Sequence, residues 1–146
     1  MKKLIVFIFI VAIIACLNLS IIKMLTLTEI FGNAPVEVFV QEFADEKFAS
    51  IKNGNYKIVF CTLGDLDYIL NSGKVFGFTI KVTNFCKEQI LNKIGASVTK
   101  VNSFGVYGSS YLLAKTYNLW CNGNNFQVAQ VANSIHIGCP VLLGGY

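Results

Sequence analysis

Hydrophobic and polar positions divide the chain into an almost uninterrupted apolar run and a longer patterned region. Residues 4–22, "LIVFIFIVAIIACLNLSII", are broken only by Asn18 and Ser20. Beyond them, apolar positions alternate or recur at helical spacing between turn-forming clusters. "VEVFVQEF" sets Val36, Val38 and Val40 on one face and Phe39 and Phe43 on the other, the period of a strand. "DEKFASIKNGN" is polar and turn-forming, and "YKIVF" reads as a short buried strand. From Thr62 or Gly64, "TLGDLDYILNSG" predicts a helix with Leu66, Ile69 and Leu70 on one face and Gly73 as its stop. "GFTIKVT" returns to period two, with Phe78, Ile80 and Val82 inward. "NFCKEQILNKIG" carries the strongest helix signals: Asn84 to cap, Glu88 at the positive end of the dipole, Lys93 in the last turn and Gly95 beyond it. Its buried face would be Phe85, Ile90, Leu91 and Ile94. "SVTKV" is another strand. "YGSSYLLA", "YNLWC", "FQVAQVA" and "IHIGCPVLL" then read as strands, with the sharpest hairpin signal at Asn122-Gly123 in "CNGNN".

A strand–helix–strand–helix–strand middle running into a meander predicts an α+β domain, with two helices on one face of a mostly antiparallel sheet. With 146 residues there is room for one such domain behind the apolar segment. The organisation is then a signal anchor or signal peptide at 1–25, a linker at 26–35 ("TLTEIFGNAP"), and the folded domain at 36–146. "KIVFCTLGDLDYILNSG" and "FTIKVTNFCKEQILNKIG" resemble each other as strand–helix units, too loosely to establish a repeat.

As a helix, residues 4–22 would extend ~28 Å, close to the thickness of a bilayer's hydrocarbon core. Fourteen of them are Leu, Ile, Val or Phe, each favouring insertion by roughly 0.3 to 0.6 kcal/mol. Lys2 and Lys3 precede the run, which places the N-terminus in the cytoplasm and the domain outside, in a single pass. "VAIIAC" also resembles a bacterial lipobox, in which Cys16 would become the lipid-carrying first residue of a lipoprotein. Apolarity continues past Cys16, so the uncleaved anchor is the preferred reading; release after ordinary cleavage ranks third, for want of a small-x-small site. All three export the domain.

Every basic residue is lysine, so the bidentate guanidinium grip on phosphate or guanine is missing. Of the twelve lysines, Lys2, Lys3 and Lys23 flank the apolar run, leaving nine against eight acids, +1, for the rest. Scattered lysines on a near-neutral domain argue against nucleic acid as a partner. The partners expected are the membrane, through the N-terminal helix, and a protein or cell-envelope component.

Side chains that could carry chemistry are few. His136 is the only histidine; between Ile135 and Ile137 it points to the opposite sheet face from them and is read as structural. Cys61, Cys86, Cys121 and Cys139 lack zinc-site spacing and sit in apolar settings, which favours buried thiols, with one disulfide open. Asp65 and Asp67 suit a helix start better than acid–base work, and "GVYGSS" suits a tight hairpin better than a phosphate loop. Trp120 in "NLWC" is read as core, with an exposed binding aromatic as the alternative. No catalytic residue, cofactor or metal site is assigned.

"KEQILNKIGASVTKVNSFGVYGSSYLLAK" and "CNGNNFQVAQVANSIHIGCPVLLGGY" together resemble the YwmB family, exported proteins of low-GC Gram-positive bacteria whose fold is likened to that of the TATA-box-binding protein. The resemblance covers the C-terminal half to two-thirds of the chain, which is shorter than usual for that family. It implies an exported protein, discussed alongside sporulation, without an established activity, and it does not imply DNA binding. The leading expectation is therefore a noncatalytic, tethered binding module. The alternatives are a small envelope hydrolase, which needs a cysteine, His136 and a carboxylate to converge, and a structural subunit that pairs through a sheet edge.

Overall fold

The computed structural model describes residues 2–20 and 26–143. Helix α1 covers Lys2–Ser20, with side chains described for residues 3–14. Then follow α2 (Leu27–Phe31), β1 (Pro35–Val40), β2 (Ser50–Asn53), β3 (Tyr56–Thr62), α3 (Leu63–Ser72), β4 (Val75–Val82), α4 (Lys87–Lys93), β5 (Ala96–Asn102), β6 (Gly105–Ser110), α5 (Tyr111–Thr116), β7 (Phe126–Val131) and β8 (Ser134–Cys139). The strands form one eight-stranded sheet in the order β2-β3-β1-β4-β8-β7-β6-β5, antiparallel at every pairing. The protein is thus α+β, as the pattern predicted.

Register explains where the core sits. Val38 faces Val59 and Phe78, Val36 faces Ile80, Ile80 faces Ile137, and Val128 faces both Ile137 and Val106. This gives a row of apolar side chains on one face of the sheet. Against it pack Leu27 and Phe31 of α2, Leu66 and Ile69 of α3, Ile90 of α4 with Ile94 just beyond it, and Leu113 of α5. Among the described residues, four short helices share this face, where the sequence pattern anticipated two. Both additions have local causes. Thr26 and Glu29 form a capping box at α2, and Ser110 Oγ accepts from the Leu113 amide to start α5.

The segment expected as a linker, 26–35, therefore holds α2 and contributes Leu27, Phe31 and Ala34 to the core. "YLLA", expected as strand, is α5; "YNLWC" is irregular up to an isolated bridge. That bridge pairs Cys121 with Asn124 around Asn122 (φ 50°) and Gly123 (φ 77°), the two-residue turn expected of "CNGNN". β2 lies in the stretch expected to be polar turn. "GVYGSS" is strand β6, and Gly108 in it lets β5 come close: a Cβ there would stand 2.1 Å from the Ser97 carbonyl oxygen. Asn84 does not cap α4; Cys86 occupies the N-cap, and Gln89 accepts from its amide.

The apolar side chains of α1 at positions 4–11, 13 and 14 are exposed, at 49–68 % of their full area, and none belongs to the core. Among the described residues no helix is long and apolar enough to cross a membrane. Residues 21 and 22 of the apolar run, and the side chain of Cys16 proposed for lipidation, lie outside the described residues.

Candidate binding surface on the helix-free face

Among the described residues, no helix packs into the opposite face of the sheet. Alternation along β1, β4 and β8 places Glu37, Lys81 and His136 there, and Ser134 shares His136's face two residues earlier. Lys81 and His136 are direct cross-strand partners. Lys81 Nζ pairs with the Glu37 carboxylate, and both side chains remain partly exposed. His136 Nε2 lies 3.0 Å from Ser134 Oγ, whose hydroxyl donates to the Val131 carbonyl at 3.0 Å. With the hydroxyl hydrogen directed to that carbonyl, the imidazole N–H donates to Ser134, opposite to the arrangement that activates a serine nucleophile. Burial, reinforced by the charge of Lys81 and opposed by Glu37, holds the His136 pKa below its ordinary 6.5. The ring is therefore neutral near pH 7.

At one end this row opens into a cleft of ≈ 560 Å³ where β1 and β8 begin and β4 ends. Lys81, Ser134, Asn33 and Asn84 supply polar groups, and Phe31 and Phe85 stack edge-to-face at 5.5 Å between centroids to form an aromatic wall. Towards the β2 edge the face becomes apolar: Ile51 is opposite Ile58, which is opposite Phe39. Ile51 and Phe60 stay exposed, whereas Phe39 is buried.

Phe39 packs against Tyr56 and lies opposite Gly77, beside which residues 140–143 return across this face. A Cβ on Gly138 would sit 2.4 Å from the Leu142 amide nitrogen, and one on Gly77 would sit 2.7 Å from the Cys139 carbonyl oxygen and 3.0 Å from Leu143. Two glycines thus form the bed of a strap. Buried Gln127 holds it: Oε1 accepts from the Leu142 amide at 3.0 Å, while Nε2 donates to the Phe104 carbonyl at 3.0 Å.

Cys61 and Cys139 do not join His136. Cys139 lies beneath the helices on the other face, and Cys61 pairs with Val36 on that face too. Burial raises the Cys61 thiol to about 12 and pushes Cys139 up further. Cys86, expected buried, is exposed at the start of α4, and all four are free thiols. Trp120, expected in the core, is 47 % exposed and donates its indole N–H to Asn118. Asp65 accepts from Thr62 Oγ1 at the start of α3, in keeping with a helix-start role. Asp67 accepts from the Tyr117 hydroxyl, tying α3 to the segment after α5. The row of Glu37, Lys81, His136 and Ser134 was not assembled by sequence reasoning. His136's facing was readable from alternation, but its neighbours depend on long-range register.

Fold and surface define an α+β protein with a single antiparallel sheet, covered by helices on one face and open in part on the other. No family model matches the chain, nor does any curated protein or solved structure to a significant degree.

Proposed function

We propose that the chain is a noncatalytic, membrane-tethered module that binds a protein or cell-envelope component through the helix-free face. The observation that carries this reading is the asymmetry of the sheet. Four helices close one face, while the other presents a partly exposed ionic and imidazole row beside a mixed polar–aromatic cleft and an apolar end. Such a mixture of anchoring apolar area and orienting polar groups is what recognition surfaces use. The tether is α1: a helix apolar on every side, whose described apolar side chains do not shelter in the domain, finds its solvent in lipid. Lys2 and Lys3 orient it with the N-terminus in the cytoplasm and the domain outside. The YwmB-like, TATA-box-binding-protein-like fold belongs to the same proposal; it rests on the sequence resemblance, and the antiparallel α+β sheet supports the broader class only.

A second reading, a subunit that pairs through a sheet edge, is favoured by the seven-residue outer strand β5. Its bulge between Val98 and Lys100, and Lys100 itself, oppose such pairing, and β2 is short and carries Lys52.

Two measurements test the first reading in wall-stripped cells. A tag after Tyr146 should be removed by external protease; protection reverses the orientation. A photocrosslinker at Ile58 or Lys81 should trap a discrete partner that one at Lys93 does not. Equal trapping from both faces, or from neither, removes the binding role of this face.

A further inference from the structure

Where the domain sits relative to the bilayer follows from its chain path. Thr26 already caps α2, and α2 packs into the core, so only residues 21–25 separate the domain from α1. Even fully extended they reach at most roughly 18 Å. α2 runs down to Phe31, which lines the cleft with Pro35, Thr83 and Asn84. That is the end of the sheet where β1, β6 and β8 begin and β4, β5 and β7 finish. The β5–β6 turn stands on this same rim, and at it Phe104 is 64 % and Val101 68 % exposed. Lys87 lines a shallow cleft with Phe104, and Lys100 adjoins Val101. Charge is also uneven. Residues 26–83 hold five lysines and seven acids, net −2, whereas residues 84–146 hold four lysines and Glu88 alone, net +3.

An exposed phenylalanine and valine with Lys87 and Lys100 nearby, on the cationic half and on the rim that Phe31 of α2 also reaches, complement an anionic bilayer surface: apolar side chains enter the interface while ammonium groups meet the headgroups. We propose that the rim formed by Phe104, Val101, Lys87 and Lys100 lies against the anionic lipid surface in which α1 is anchored. This would fix the helix-free face roughly upright on the membrane rather than leaving it to tumble. The inference rests on the tethered reading above.

The test reconstitutes the full chain into vesicles of phosphatidylcholine, with or without phosphatidylglycerol. Trp120→Phe removes the single native tryptophan, and Phe104→Trp places one at the exposed turn. In anionic vesicles the new indole should emit to the blue of its position in phosphatidylcholine and be quenched by lipids brominated near the headgroup. Lys87→Gln and Lys100→Gln should each lower the docked-to-undocked ratio about fivefold. Water-like, unquenched emission from a chain that floats with anionic vesicles overturns the docking and leaves the tether intact. A chain that does not float with either vesicle overturns both.

Discussion

At Gly138 the backbone of the returning strap leaves no room for a side chain, since a Cβ would meet main-chain atoms of Val141 and Leu142 at 2.4 Å. Gly138→Ala should therefore lift the strap and break the Gln127–Leu142 bond, lowering stability by about 1–3 kcal/mol in urea denaturation. An unchanged midpoint would show that the strap contributes nothing. His136 makes a pH-dependent contribution whose sign is fixed by its environment. Burial first, then Lys81, depresses its folded pKa below 6.5, so the unfolded chain takes up the proton at higher pH than the folded one. The stability held by the neutral ring is complete above about pH 6.5 and is lost as the pH falls from there through the folded value. Stability measured between about pH 7 and 5 should fall more steeply in the natural chain than in His136→Gln; parallel curves would contradict the assignment. Alternation along "SIHIG" was enough to give this residue's face, whereas Lys81 lies fifty-five positions earlier and meets it only through the β4–β8 register.

Elements that announce themselves by period were legible: β1, α3, β4, α4, β7 and β8 stand close to where apolar spacing predicts them. Those that were missed lack a periodic apolar face. β2 is exposed at all four positions, so no alternation marks it; its strand conformation comes from pairing with β3. α5 has six residues, too few for a helical period, and its start depends on the Ser110 cap. α2 is shorter still, yet it did carry a readable sign: Thr26 followed three residues later by Glu29 is the spacing of a capping box. That sign gives a prediction at this scale. Thr26→Ala removes the acceptor for the Glu29 amide, at 3.2 Å, and should cost about 1 kcal/mol of domain stability, measurable by chemical denaturation. A free linker would show no loss.

For the molecule as a whole, the same boundary decides what folds. The core draws on α2 through α5 and all the inner strands, but on none of the described side chains of α1. A chain beginning at Leu25 should therefore keep the full domain's cooperative unfolding, with stability within about 0.5 kcal/mol of the parent, because the described apolar side chains of α1 are exposed and lie outside the core. A chain beginning at Val36, the boundary suggested by the apolar pattern alone, loses Leu27 at 4 % exposure and Phe31 at 8 %. Each such side chain contributes roughly 1.5–3 kcal/mol by burial. Their joint loss, about 3–6 kcal/mol, is comparable with the whole stability of a small domain at roughly 5–15 kcal/mol. It also removes Phe31 from beside Val82 in the cleft and removes the Ala34 carbonyl that accepts from the Leu63 amide at the start of α3. The shorter chain should show a broadened or absent thermal transition and bind a hydrophobic dye, while the longer one melts sharply. Two chains with equal melting temperatures would place α2 outside the cooperative unit, and with it the short tether on which membrane docking of the Phe104 rim depends.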